Sequence, residues 1–138
     1  MNTIYIDTSV GMYLLYPGPV REKLREWFNS QPSRYASSRL FRTEVIRNLR
    51  RDNYDIESAE TFLKRVEPLE ISSRIHTIAE SIEPHIKALD SIHIATALTL
   101  SEPLFLATHD NRMAEVAKEL GLTVIDPVAE ILASLSNK

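Results

Sequence analysis

The sequence predicts an α/β fold: one domain built on a mostly parallel central sheet with helices on both faces. The chain has 138 residues, 43% of them hydrophobic, which is the size of one ordinary domain. Its apolar runs are short, and they alternate with stretches whose apolar residues recur at helical spacing. Short buried strands that alternate with helices are typical of a parallel sheet covered on both faces.

The N-terminal half supplies the first part of this alternation. Residues 3–6 form a mostly apolar run that predicts a buried strand, and the turn sequence YPGP at 16–19 separates two helical patterns. The second of these patterns carries Val20, Leu24, Trp27 and Phe28 on one side. The prediction for this half is strands at 3–6 and 34–36, and helices at 10–15, 20–29, 40–51 and 56–66.

The C-terminal half continues the alternation. LFLAT at 104–108 and TVI at 123–125 predict strands, and Gly121 is a favoured residue for closing the helix between them. The prediction for this half is strands at 69–71, 104–108 and 123–125, and helices at 74–82, 89–100, 112–120 and after 125. In such folds the reactive site lies at the carboxyl ends of the strands.

The composition restricts the compartment and the chemistry. The chain has no cysteine, which excludes disulfide frameworks, thiolate zinc sites and cysteine nucleophiles, and suits a reducing compartment. No apolar run approaches the roughly 18 residues that a membrane span needs, and no basic region precedes the first apolar run. We therefore expect a cytoplasmic protein without a membrane partner.

Positive charge is concentrated in residues 34–51, called here the basic segment. The net charge of the chain is −3, whereas this segment holds six of the eleven arginines and one acid, Glu44, for a net charge of +5. Two interpretations stay open. The segment is either a solvated helix face or a surface that contacts the phosphate backbone of a nucleic acid.

Two aspartates follow predicted strands. Asp7 comes directly after the strand at 3–6, and Asp110 lies two residues beyond the strand at 104–108. Both therefore fall on the edge of the sheet where ligands bind. The alternative for each is a helix N-cap, a favoured position for aspartate that contributes about 1 kcal/mol.

Two further acids lie on predicted helices. Asp90 is in line with Ile94 on its helix, so its carboxylate points where apolar groups point and needs a partner, either a cation or His93. Glu44 borders the apolar stripe of its helix, and its alternative role is a surface ion pair with Arg47. For both acids the functional and the structural interpretation stay open.

Together these four carboxylates indicate a metal site. Charges about 4 Å apart repel by about 4 kcal/mol at an effective dielectric constant near 20, so such a cluster must take up protons or hold a cation. Oxygen ligands without cysteine select a hard ion, Mg²⁺ or Mn²⁺. The chain offers no serine, cysteine or histidine nucleophile in an activating motif, and it carries the basic segment. This combination predicts hydrolysis of a phosphodiester by metal-activated water.

Four stretches carry a resemblance to a known family through their order and spacing: YIDTSV, TEVIRNLRR, LDSIHIATAL and LATHDNRMAEVAKELGLTVIDP. The chain resembles the PIN-domain ribonucleases, specifically the VapC-type toxins of toxin–antitoxin pairs. The resemblance implies one PIN domain over 1–138, with Asp7 and Asp90 as the best candidates for direct metal ligands and with Thr8 and Thr108 next to the site. It implies an acidic quartet made of Asp7, Glu44, Asp90 and Asp110.

The same resemblance implies an activity and partners. The reaction would be endonucleolytic cleavage of RNA that leaves a 5′-phosphate and a 3′-hydroxyl, with Mg²⁺ or Mn²⁺ held by the acidic quartet. Arg47 and Arg51 would bind the RNA backbone without reading bases. Family members usually form homodimers, and a cognate antitoxin protein usually blocks their activity. Candidates for the antitoxin contact are residues 12–16 and the helix containing Trp27, whose alternative role is core packing.

Other classes of protein fit the sequence less well. A phosphatase with an aspartate nucleophile would carry a second aspartate two positions after the first, where this chain has Ser9. A response-regulator receiver would carry paired acids after the first strand and a lysine after the last strand, and TVID offers none. The remaining alternative is a nuclease-inactive PIN scaffold that binds RNA or a protein partner. Such a scaffold would be expected to have lost one or more of the acids, all of which are present.

Overall fold

The computed structural model describes residues 2–137 and shows helices packed on both faces of a five-stranded sheet. The strands lie in the order β3-β2-β1-β4-β5, and every neighbouring pair is parallel. The predicted fold class is confirmed. In chain order the elements are β1 (Asn2–Ile6), α1 (Thr8–Leu15), α2 (Pro19–Asn29), β2 (Ser33–Ser38), α3 (Arg39–Arg51), α4 (Ile56–Leu63), β3 (Val66–Leu69), α5 (Ser73–Glu80), α6 (Ala88–Leu98), β4 (Leu104–Ala107), α7 (Asn111–Glu119), β5 (Thr123–Ile125) and α8 (Pro127–Ser136).

One part of the prediction is wrong. The helix predicted at 56–66 ends at Leu63, and the following strand covers Val66–Leu69 instead of 69–71. This strand lies at the edge of the sheet and has the sequence VEPL, of which only the first residue is buried. An edge strand tolerates proline and exposed charge because one side of its backbone needs no partner. The apolar run expected of a buried strand is therefore missing here.

The core consists of two clusters on opposite faces of the sheet. Alternate residues of β1 divide between them: Ile4 and Ile6 join the cluster that contains Phe28 and Val45, whereas Tyr5 joins the cluster that contains Ile94. This alternation is what a strand buried on both faces requires. Within residues 2–137, no helix combines the length and the apolar character needed to cross a membrane.

A close approach of α1 to α3 shapes the carboxyl edge of the sheet. A Cβ added to Gly11 would lie 2.4 Å from Cε1 of Phe41, so a larger residue at this position would displace the buried Phe41 ring. The contact brings the first turn of α1 against α3, where the hydroxyl of Thr8 meets Glu44. Glycine at position 11 therefore helps to assemble the site described next.

Candidate active site

Asp7 is a buried carboxylate at the carboxyl end of the central strand β1, with 2% of the residue exposed. Its Oδ1 accepts hydrogen bonds from the Ser9 hydroxyl (2.7 Å) and the Val10 N–H (3.0 Å), and its Oδ2 accepts one from the Thr108 hydroxyl (2.5 Å). Burial raises the pKa of Asp7, and these donors act against the rise. Asp7 is thus the N-cap of α1 and, at the same time, a carboxylate that is almost completely shielded from solvent.

The loop after β4 is joined to this carboxylate by a short network. The hydroxyl of Thr108 donates to Asp7 and accepts from the N–H of Asp110 (3.1 Å). The hydroxyl of Ser9 likewise donates to Asp7 and accepts from the N–H of His109 (2.9 Å). The ends of β1 and β4 are therefore held together at the level of the acid.

Glu44 reaches the same edge from α3. Its Oε1 accepts a hydrogen bond from the Thr8 hydroxyl (2.8 Å) and lies 2.7 Å from Nε2 of His93. Its other oxygen, Oε2, forms no hydrogen bond with any residue in 2–137, and the side chain is 20% exposed. The alternative of an ion pair with Arg47 is wrong, because Glu44 turns inward to Thr8 and His93 while Arg47 stays exposed.

His93 lies behind Glu44 and is 1% exposed. Its Nδ1 is 2.7 Å from Oη of Tyr5, which is fully buried and also accepts the N–H of Ser38 (3.0 Å). Burial raises the pKa of Tyr5, so the phenol keeps its proton. The alternative in which His93 pairs with Asp90 is wrong, because both ring nitrogens are engaged by Tyr5 and Glu44.

Asp90 and Asp110 form the outer, partly exposed side of the site. Asp110 is the N-cap of α7, since its Oδ1 accepts the N–H of Met113 (3.0 Å), and the capping interpretation is confirmed for it. Asp90 lies in the first turn of α6. Burial raises the pKa of Asp90, and the negative charges of Asp110 and Glu44 add to this rise. Glu44 and Asp110 therefore act electrostatically on Asp90, although the three acids come from different elements.

The donor chemistry of the quartet fits a hard divalent cation. All its ligand atoms are carboxylate oxygens, which is the set that Mg²⁺ and Mn²⁺ prefer. Several of these oxygens, among them Oε2 of Glu44, are not used by hydrogen bonds within the described chain. In the part of the chain that the structure describes, however, no three His, Asp or Glu side chains form a group that could hold a metal ion. Metal binding by the quartet therefore stays a prediction.

The basic segment is not a uniform positive surface. Arg47 is exposed, lies one turn after Glu44 on α3, and has no ion pair with any residue in 2–137. Of the two arginines predicted to bind substrate, Arg47 thus forms no ion pair within the described residues, whereas Arg51 is paired with Asp52. Three arginines of the segment form such pairs: Arg34 with Glu102 (2.8 Å), Arg42 with Glu60 (2.6 Å) and Arg51 with Asp52 (3.0 Å).

The sequence analysis missed several residues of this network. A tyrosine between two isoleucines in the strand at 3–6 was a usable signal, because a buried phenol needs a hydrogen-bond partner. Ser9 was another, because a hydroxyl two residues after an aspartate can bond back to it. The contact between His93 and Glu44 had no local signal, since the two residues are 49 positions apart.

Comparison with known proteins gives a consistent result. A family model described as PIN domain matches residues 4–119. Ribonuclease VapC46 of Mycobacterium tuberculosis is 35% identical over 130 residues, which cover 92% of this chain and 99% of that protein. Ribonuclease VapC35 of the same species is 32% identical over 130 residues, covering 90% of this chain and 96% of that protein.

Solved structures show the same fold. A chain of a toxin–antitoxin complex from Klebsiella pneumoniae has a TM-score of 0.70 at 21% identity and covers 90% of this chain and 97% of its own length. A chain of VapBC2 from Rickettsia felis, bound to a DNA fragment from its promoter, has a TM-score of 0.66 at 13% identity, with coverages of 90% and 98%. Because the family model and the curated relatives extend over most of the sequence, the chain belongs to the PIN domain family, and within it to the VapC group.

Proposed function

We propose that the chain is a metal-dependent endoribonuclease that hydrolyses RNA phosphodiester bonds with metal-activated water. The observation that carries this proposal is the buried carboxylate of Asp7, oriented by three donors at the sheet edge beside the other acids of the quartet. The names of the two relatives, both called ribonucleases, support the same reaction class. Carboxylates that hold a cation leave the attack on phosphorus to water.

The acidic quartet would hold Mg²⁺ or Mn²⁺ in this proposal. Such an ion would supply a lowered pKa for the attacking water and positive charge next to the scissile phosphate. The protein contributes orientation: Ser9 and Thr108 hold Asp7, and Thr8 holds Glu44 through hydrogen bonds that exist before any ligand binds. Asp7 and Glu44 are therefore already oriented by hydrogen bonds in the absence of a ligand.

Arginines of the basic segment would contact the RNA backbone. Arg47 is exposed beside the turn that carries Glu44, so a phosphate next to the scissile bond could reach it. Arg51 would have to release Asp52 first, because the two side chains form a paired contact (3.0 Å). Contacts to phosphates position RNA without reading its sequence.

A cleavage assay tests the proposal. Purified protein should cleave structured RNA in the presence of Mg²⁺ or Mn²⁺ and should stop when EDTA is added. Asp7→Asn protein prepared in the same way controls for a contaminating nuclease. Cleavage that continues in EDTA contradicts the mechanism. RNA binding by the wild type without cleavage supports the alternative, a nuclease-inactive PIN scaffold.

We also propose that a cognate antitoxin protein binds this chain and that the chain forms a homodimer. The similar structures from Klebsiella pneumoniae and Rickettsia felis are toxin–antitoxin complexes. Within the segment 12–16, Leu14 and Leu15 belong to the core, whereas Tyr13 is 36% exposed. Tyr13 lines a groove of about 380 Å³ between α1 and the start of α2. Trp27 is partly buried against the core, so packing explains it better than a partner contact.

Co-expression tests the partner proposal. A small protein encoded by the neighbouring reading frame should co-purify with the chain and suppress RNA cleavage. Tyr13→Ser should weaken this complex. Because the Tyr13 ring also packs edge-on against His109 (ring centroids 5.4 Å apart), the melting temperature and the RNA cleavage of the free variant are measured as controls. Light scattering of the purified chain should give twice the monomer mass. A chain that stays monomeric, or a neighbour that does not bind, removes the corresponding part of the proposal.

A further inference from the structure

A chain of hydrogen bonds runs from the backbone of β2 to Glu44. The N–H of Ser38 donates to Oη of Tyr5 (3.0 Å), and this oxygen lies 2.7 Å from Nδ1 of His93. Nε2 of the same ring lies 2.7 Å from Oε1 of Glu44. Tyr5 and His93 are buried, so water does not compete for these bonds.

The partners decide where the protons lie. The carboxylate of Glu44 can only accept, so Nε2 of His93 carries a proton and donates it to Oε1. With the ring proton on Nε2, Nδ1 is the acceptor on the other side of the ring, and Oη of Tyr5, which already accepts from Ser38, has its own proton to donate there.

We propose that His93 is a positioning residue, supported by Tyr5, that holds Glu44 in the orientation needed to bind a divalent cation. With Thr8 and His93 both donating to Oε1, Oε2 is the oxygen left for the ion. This inference rests on the proposed nuclease function. It concerns two residues, Tyr5 and His93, that lie outside the acidic quartet.

Glu44 needs such a support because of its place in the fold. Holding a glutamate side chain in one orientation costs conformational entropy, so a partly exposed glutamate is mobile unless something holds it. α3 packs with the cluster on one face of the sheet, and α6 packs with the cluster on the other face. The bond from His93 to Glu44 therefore connects the two helix layers at the carboxyl edge. Mutation of a residue that hydrogen-bonds to a metal ligand typically lowers metal affinity or activity by about 10–100-fold.

Two substitutions separate positioning from packing. In His93→Gln the amide nitrogen takes the place of Nε2 and can still donate to Glu44. In His93→Asn the amide takes the place of Nδ1, so contact with Tyr5 can persist but the donor to Glu44 is lost. Ile94→Val, which removes one buried methyl group from the same helix, serves as the matched packing control.

The main measurement is the affinity for Mn²⁺ alone, determined by calorimetry on the whole chain without RNA. We expect His93→Asn to bind Mn²⁺ at least about tenfold more weakly than wild type, and His93→Gln to recover most of this loss. In RNA cleavage, kcat should fall about 10–100-fold in His93→Asn, while KM changes little. Ile94→Val should match wild type in both assays. ¹⁵N chemical shifts of the wild type should show the proton of His93 on Nε2.

Each outcome supports or contradicts the inference. Equal Mn²⁺ affinity in wild type, His93→Asn and His93→Gln would mean that His93 only fills space. A proton found on Nδ1 would contradict the proposed direction of the hydrogen bonds. If the wild type binds Mn²⁺ but does not cleave RNA, the proposed function fails while the affinities still decide the role of His93. A wild type that binds no Mn²⁺ contradicts both.

Discussion

The acidic quartet has two halves that differ in their surroundings. In the inner half, Asp7 accepts three hydrogen bonds, and Glu44 accepts one from Thr8 and contacts His93. In the outer half, Asp110 accepts a capping bond, and Asp90 is influenced by burial and by charges instead of donors. The fold therefore holds both inner carboxylates, and Asp110 through its cap, before any ligand arrives, whereas Asp90 accepts no hydrogen bond from the described residues. Pre-organised groups lower the cost of binding, whereas free groups allow the site to adapt.

The largest effect is expected from the inner half. Asp7→Asn should reduce RNA cleavage by roughly a hundredfold or more, because it removes a buried negative charge from the site. The fold should tolerate the change, since the amide oxygen can still accept from Val10 and Ser9. Because burial raises the pKa of Asp7, the neutral variant should melt in EDTA at the same temperature as wild type or higher. A clear drop in that melting temperature would show that the charge itself stabilises the fold.

The outer half should respond differently to metal. Asp90→Asn should also lose cleavage and should leave the melting temperature in EDTA unchanged or higher. Wild type should gain about 2.7 kcal/mol of stability when Mg²⁺ is in hundredfold excess over its dissociation constant, and the variant should gain much less. Melting curves with and without Mg²⁺ test this. A clear drop in the metal-free melt, together with retained Mg²⁺-dependent cleavage, would falsify a metal-binding role for Asp90.

The pH dependence of stability sharpens the same comparison. The pKa of Asp90 in the folded chain lies above its ordinary value of 3.8, so between these two values the folded state binds more protons than the unfolded state. In EDTA, the free energy of unfolding should therefore fall as pH rises through this window. At pH values above the window it should stay at the lower level. Denaturant titrations at several pH values should show a smaller fall in Asp90→Asn. If the free energy of unfolding changed with pH by the same amount in wild type and Asp90→Asn, the raised pKa of Asp90 would be contradicted.

A smaller effect is expected from the hydroxyl that orients Glu44. Thr8→Val removes one of the donors to Oε1, so cleavage should fall about tenfold and stability by about 1 kcal/mol. Thr8→Ser keeps the hydroxyl and should restore most of the activity. Kinetics of the two variants on one RNA provide the comparison. Equal activities of the valine and serine variants would mean that His93 alone is sufficient to hold Glu44.

The smallest effect is expected at the rim of the site. Arg47→Ala should weaken RNA binding at all sequences and reduce the salt dependence of binding by about one unit of slope, with little change in kcat at saturating RNA. Arg51→Ala should change the slope less, because Asp52 already balances its charge. Arg34→Ala, near the start of β2 and so at the opposite end of the strand, serves as the control. If the salt dependence of RNA binding were unchanged in Arg47→Ala, Arg47 would belong to a solvated helix face that does not contact RNA.

The sequence alone was sufficient for the fold class and for the position of two acids. Apolar runs such as 3–6 and 104–107 are local signals, and the alternation of strands with helices implies a parallel sheet. Asp7 and Asp110 could be assigned to one edge because all parallel strands end on the same side. The prediction failed at Val66–Leu69, where Glu67 and Pro68 occupy an edge strand without the apolar pattern of a buried one.

Only the tertiary structure decided which side chains meet at that edge. Residues one helical turn apart can be recognised as possible partners in a sequence, and the candidate pairs were Glu44 with Arg47 and Asp90 with His93. The structure instead joins Glu44 to His93, 49 residues away, and His93 to Tyr5, 88 residues away. Periodicity shows which face of a helix is buried, but not what that face meets. Here the meeting depends on how α3 and α6 pack beside β2 on opposite faces of the sheet, and that packing is set by contacts between elements far apart in the chain.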